Sequence, residues 1–316
     1  MKRRILPRLA AAGIACLFAG AINAAGVLAP DDDEDDLVPN GKGWGERKYP
    51  AHPNNGNGNA NGQANRKVTG NGINYHGGPV MLGTTNVYYI WYGNWGDRGD
   101  NTASTILNNL ASNIGGSPYF NINTTYNDGS HSVSNSVAFA GSSTDNYSQG
   151  TALSDSGVQN VVSSAISSGR LPKDTSGVYL VLTSADVNET SGFCTQYCGW
   201  HTRGTISGSD IKFAFIGNPD RCPSACEAQT TSPNGNAGAD GMASIISHEL
   251  EEAVTDPDLN AWYDRTGQEN ADKCAWTFGT TYSSGGGRAN MQIGSRHYLI
   301  QRNWVNASGG YCSLSY

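Results

Sequence analysis

Charge is scarce in this chain. Lys, Arg, Asp and Glu make up 15% of its 316 residues, well under the roughly 25% of an ordinary soluble domain. The basic residues do not gather into a patch interleaved with aromatics, so no partnership with nucleic acid is expected. Long apolar runs are equally rare. Leu9–Ala21, the most apolar stretch, falls short of the roughly 20 residues that a bilayer span needs, and no other run approaches it. No transmembrane segment is expected. Two signatures are missing as well. Without a G-x-S-x-G sequence there is no nucleophile elbow. Without the spaced carboxylates of an EF-hand, Asp256, Asp258 and Asp264 read as turn residues.

Gly, at 41 residues, is abundant instead, together with Ser, Asn and Thr. That composition suits an exported, loop-rich protein containing β-structure. The N-terminus agrees. Lys2, Arg3, Arg4 and Arg8 precede the short apolar run, and Ile22-Asn23-Ala24 follows it. Residues 1–24 therefore read as a signal peptide cut after Ala24, which sends the product outside the cytoplasm, secreted or periplasmic. Residues 25–70 begin with the acidic run Asp31–Asp36 and continue into Asn, Gly and Pro. Such a stretch buries too little apolar surface to offset its ordering entropy, and a disordered linker or propeptide is expected. Past the leader stand six cysteines, Cys194, Cys198, Cys222, Cys226, Cys274 and Cys312. An even number in an exported chain argues for disulfides. The expected pairs are Cys194 with Cys198, Cys222 with Cys226, and Cys274 with Cys312. A thiolate zinc site from the two C-x3-C pairs is the competing reading.

Residues 71–316 read as one domain. Thr85–Gly93, Tyr119–Tyr126, Val133–Ala140, Gly177–Thr183 and Lys212–Gly217 have strand character, being β-branched, aromatic or continuously apolar between turn residues. Helices are expected from about residue 100 to Ile114, over Ser154–Ser168 and over Met242–Val254, each with apolar residues at helical spacing. Strands alternating with helices predict an α/β or α+β fold, a mixed sheet flanked by helices with disulfide-stapled loops. Ser184-Ala185-Asp186 closes the clearest strand, where such folds place functional polar groups.

The third helix carries Ser247-His248-Glu249-Leu250-Glu251-Glu252. His248 and Glu252, four apart, project from one face, with Glu249 on the adjoining edge. Zinc peptidases of the H-E-x-x-H type use this spacing for two ligands, with the Glu beside the first activating a water. Here a carboxylate replaces the second histidine. Glu269 follows Glu252 by 17 residues, near the separation at which one peptidase class supplies a third ligand, and Asp272 is placed to brace His248. The expected site is His248, Glu252 and Glu269 around a divalent ion, zinc first, with Glu249 as general base and Asp272 behind. Carboxylates converging in one cleft repel strongly unless a cation joins them. One nitrogen and two carboxylates make a harder site than two histidines, which also admits manganese or iron and makes bound water less acidic. His76, His201, Tyr263 and His297 are candidates to contact a substrate or an oxyanion.

The order of several blocks, Tyr75-His76-Gly77-Gly78-Pro79-Val80, Ile90-Trp91-Tyr92-Gly93, Phe193–His201, Ile216-Gly217-Asn218-Pro219, Cys222–Cys226 and Asp240–Tyr263, resembles the EXORDIUM/phosphate-induced protein family. That family includes plant cell-wall proteins and bacterial secreted relatives. The resemblance spans residues 74 to 312 and implies a secreted or wall-associated protein, linked in plants to growth responses. It carries over no established catalytic residue. Two functions follow. One is a secreted metal-dependent hydrolase acting on peptide or wall polymer, with a zincin-like helix. The other is a non-enzymatic glycan-binding protein with a degenerate or absent metal site, using Trp91, Trp95, Trp200 and Trp262 as stacking surfaces.

Overall fold

The computed structural model describes residues 38–42, 70–96 and 101–316. The expected signal peptide and most of the expected linker lie outside them.

Five strands form the central sheet: β1 Thr85–Tyr92, β2 Val137–Asp145, β3 Gly177–Thr183, β4 Gly199–Ile206 and β5 Ser209–Ile216, in the spatial order β2-β1-β3-β5-β4. The first four in that order run parallel, and β4 returns antiparallel to β5. Every residue of β3 is buried, as its unbroken apolar run requires of a central parallel strand covered on both faces. β4 alternates small, polar and aromatic residues and carries two glycines, so its sequence does not read as a strand. It becomes one through the two-residue turn Ser207-Gly208. Both residues have positive φ, 50° and 75°, the backbone that matches strand twist in a tight hairpin.

Three long helices flank the sheet: α1 Asn101–Asn113, α2 Asp155–Ser167 and α3 Ala237–Thr255. α1 connects β1 to β2 and α2 connects β2 back past β1 to β3. These crossovers run in opposite directions, which with right-handed connections puts the two helices on opposite faces. α1 turns Ala103, Ile106, Leu107 and Leu110 inward and packs on α3. Asn236 caps α3 by accepting from the Ala239 amide at 2.9 Å, and Pro257 follows its end. From Met242 to Pro257 every residue is buried, the polar ones included. The mixed α+β architecture with a flanked sheet and stapled loops is as expected.

Two expectations need correction. The segment around Tyr119–Tyr126 is not a strand but a 3-10 helix over Phe120–Thr125. Its side chains bond to its own backbone: Asn123 donates to the Phe120 carbonyl at 3.2 Å, Thr124 to Asn121 and Thr125 to Ile122 at 2.8 Å each. Such local bonds compete with a strand ladder. The disulfides are Cys194–Cys222, Cys198–Cys226 and Cys274–Cys312, so only the third matches the expected pairing. Cys222 caps the short helix Pro223–Cys226, and the four-residue spacing sets Cys222 and Cys226 on one side, facing the loop before β4 rather than each other.

The outer edge of β4 is covered in part. The Gly41 carbonyl accepts from the His201 amide at 3.1 Å, and Lys42 Nζ bonds Asp155 Oδ2 at 2.6 Å and Ser191 Oγ at 2.7 Å. A Cβ on Gly41 would sit 1.8 Å from the His201 oxygen, so only glycine permits this approach.

Candidate metal centre

The cluster grows out of α3. His248 and Glu252, one turn apart, meet with Nε2 3.0 Å from Oε1. The chain after the helix brings Asp272 to the same place, its Oδ1 3.5 Å from His248 Nε2 and its backbone amide donating to Glu252 Oε1 at 3.1 Å. Asp272 starts the 3-10 turn that ends at Cys274, which the bridge to Cys312 anchors. From the other side β4 supplies His201. Its Nε2 lies 3.1 Å from each Glu269 oxygen and 3.7 Å from Glu252 Oε2. Two sets of three can therefore present ligand atoms within 4.8 Å of one another, His248-Glu252-Asp272 and His201-Glu252-Glu269, with Glu252 in both.

Close packing of α3 on β4 makes this meeting feasible. Gly199, two residues before His201, leaves so little room that an added methyl would lie 2.6 Å from Ile245 Cγ2, 2.8 Å from the Phe215 oxygen and 3.0 Å from Glu249 Oε1. Glu249 thus lies against β4, beside the strand that carries His201. Glu251, on another face of α3, and Asp256, at its end, are buried too. Burial pushes the Glu251 carboxyl well above the usual range. Asp256 accepts from the Asn260 and Ala261 amides at 2.6 Å each, yet burial still pushes it up to about 7.

The electrostatics of the cluster are one-sided. Glu249, Glu251, Glu252, Asp256, Glu269 and Asp272 are all 5% exposed or less. Burial pulls the His201 imidazole down to about 4, which weakens it as a counter-charge to the acids. Lys212 is the one buried Lys or Arg among the described residues, and it is bonded to Asp210 and Asp258. Glu252 Oε2 and Asp272 Oδ1 are buried and accept no hydrogen bond. Buried oxygens without donors are costly unless a cation meets them.

Of the residues expected at the site, His248, Glu252, Glu269 and Asp272 come together. Glu269 faces His201, and Asp272 stands at ligand range beside His248. His201 joins as a ligand candidate, a role its sequence context did not signal. His76 and Tyr263 stack on each other at 3.6 Å, with His76 Nε2 3.1 Å from the Tyr263 carbonyl, and His297 Nδ1 pairs with the Tyr282 hydroxyl at 2.8 Å. None of these three is among the residues that meet around Glu252.

Space opens elsewhere. A cavity of about 710 Å³ is bordered by Glu189, Gly192, Gln196 and Arg221, beyond the ends of β3 and β5. Another of about 490 Å³ lies beyond the ends of β1 and β2, bordered by Trp95, Asn94, Asp145 and Tyr147. Neither is lined by a residue of the buried cluster. Trp200 and Trp262 are buried away from both cavities and offer no stacking surface, whereas Trp91, 8% exposed, and half-buried Trp95 both border the second cavity.

Comparison with known proteins adds a family. Residues 73–293 match the conserved region described as phosphate-induced protein 1, an interval that contains all five cluster residues. Protein EXORDIUM-like 5 of Arabidopsis thaliana is 34% identical over 275 residues, covering 73% of this chain and 75% of the relative. Protein EXORDIUM-like 3 of the same plant is 31% identical over 283 residues, covering 76% and 82%. Protein PHOSPHATE-INDUCED 1 of Nicotiana tabacum is 25% identical over 217 residues, covering 60% and 67%. No solved structure matches the chain.

Proposed function

The chain belongs to the phosphate-induced protein 1 family, and from that premise we propose that it is an exported binding protein whose core is stabilised by a divalent ion at His248, Glu252 and Asp272. Export rests on the basic and apolar N-terminus together with three disulfides, which persist in oxidising compartments. Among the described residues no helix is long and apolar enough to cross a membrane.

The observation that carries the proposal is the pair of buried carboxylate oxygens, Glu252 Oε2 and Asp272 Oδ1, that accept no hydrogen bond and face imidazoles instead of ammonium or guanidinium groups. One nitrogen and two carboxylates are a plausible ligand set for zinc, with manganese and iron as competitors. The role is structural rather than catalytic because every ligand is 5% exposed or less. Hydrolysis with Glu249 as general base would need water and substrate beside Glu252. A structural site is closed, whereas a catalytic one keeps an open position. Recognition falls instead to the open loops at the carboxyl ends of the strands, where α/β sheets bind ligands, and a peptide or cell-wall polymer is the proposed partner there.

Metal analysis of the purified mature protein, followed by melting with and without a strong chelator, tests this. Bound divalent metal and a Tm lowered by about 10 °C on chelation are expected, since a loss of a few kcal/mol shifts a domain of this size by that order. A metal-free protein whose melting ignores both chelator and added zinc would overturn the reading.

A further inference from the structure

Building on the metal reading above, we propose that the centre is binuclear, with the Glu252 carboxylate bridging one ion at His248 and Asp272 to a second at His201 and Glu269. Each oxygen of Glu252 has its own neighbours. Oε1 lies 3.0 Å from His248 Nε2, while Oε2 is oriented toward His201 Nε2 at 3.7 Å. Neither three-residue set includes the other's imidazole, although both sets include Glu252. A lone ion drawing all five groups to itself would need one convergence point. The structure has two, one on each side of a single carboxylate. Bridging carboxylates hold paired ions about 3.5–4 Å apart.

Three features support the second half as a site. His201 is 1% exposed and Glu269 1% exposed, so neither is a surface decoration. Both Glu269 oxygens lie 3.1 Å from the same His201 nitrogen, so this carboxylate turns both of its oxygens to the atom that would hold the second ion. Charge gives the third. Glu252, Glu269 and Asp272, ionised as metal ligands, carry three negative charges, more than one divalent ion neutralises. Two imidazoles and three carboxylates form a mixed nitrogen and oxygen set suited to zinc, manganese or iron, and not the all-oxygen cage of calcium.

The test counts ions and asks whether they are neighbours. Metal-stripped full-length mature protein is titrated with manganese, and its electron paramagnetic resonance is recorded. The expected result is two ions per chain with the exchange-coupled spectrum of a manganese pair, its hyperfine spacing about half that of an isolated ion. Glu269→Gln and His201→Ala should each retain one uncoupled ion, Asp272→Asn should retain the other, and Glu252→Ala should lose the coupling. Because the wild-type spectrum is itself decisive, a variant that fails to fold does not remove the test. One uncoupled ion per chain in the wild type overturns the binuclear proposal and leaves the structural metal standing. No bound ion overturns both.

Discussion

The contact zone between α3 and β4 and the loops beyond the carboxyl ends of β1, β3 and β5 differ in nearly every physical respect. The first gathers the five candidate ligands, His201, His248, Glu252, Glu269 and Asp272, and buries every one of them. The second holds the open volume, edged by Asn94, Trp95, Tyr147, Gln196 and Arg221, and its carboxylates Asp145 and Glu189 each accept hydrogen bonds. There, Tyr147 donates to Asp186 Oδ2 at 2.7 Å, as Ser184 does to Oδ1 at 2.7 Å. In an active site reactive groups and access coincide. Here the candidate metal ligands and the open volume are separated, which points to a centre that stabilises the fold and a surface that meets the partner. The two cavities flank the gap between β1, whose connection leads outward to β2, and β3, whose connection leads outward the other way, the switch point at which α/β sheets bind ligands.

The sharpest way to break that separation is to loosen the closed zone. Cys198 directly precedes β4 and Cys226 lies before α3, so their bridge ties the two walls of the cluster together. The paired change Cys198→Ala and Cys226→Ala should cost about 3–4 kcal/mol, as expected for a loop of 28 residues, measured by chemical denaturation. A loss below about 1 kcal/mol would mean that the walls hold without it. Gly199→Ala comes next. The added methyl must push α3 from β4, with a loss of about 1–3 kcal/mol and reduced metal content expected. Unchanged metal content would show that the spacing there does not set the site.

Smaller effects sharpen the comparison. Asp240 sits in the first turn of α3, accepting from Ser232 and from Asn234, and burial raises its carboxyl pKa. A carboxyl raised in the folded state holds a proton that the unfolded chain has released. Its stabilising contribution is complete below its unfolded value and is lost as pH rises through the folded value. Asp240→Asn should therefore remove part of the fall of Tm that accompanies rising pH above the ordinary carboxylate range, and an unaltered profile would contradict the assignment. Asn146→Ala, exposed at the open cavity, should leave stability within about 0.5 kcal/mol while weakening retention on peptide or wall polymer. Destabilisation without change in binding would place the recognition surface elsewhere.

Much of the fold was legible because its strands are continuously apolar and its helices regularly spaced. Gly177–Thr183 could not be surface, and α3 announced His248 and Glu252 through their one-turn separation. Glu269 and Asp272 followed from nearness in sequence. His201 did not, because its place depends on a hairpin closed by Ser207-Gly208 and on a strand too polar and glycine-rich to declare itself. Cysteine pairing escaped for a similar reason. Spacing alone does not say that Pro223–Cys226 turns helical and aims two sulfurs the same way. Local side-chain bonds hid the 3-10 helix at Phe120–Thr125 behind an apparently strand-like composition. Long-range geometry, not residue type, was the missing information.

The most direct measurement is the sign of the Tm change for Glu252→Gln, taken in metal-replete and in chelated protein. With an ion present the substitution removes a ligand, and Tm should fall. With the ion withdrawn it removes a buried repelling charge, and Tm should rise. A rise under both conditions would contradict the account, because it would mean that the acids of α3 face one another with no metal between them.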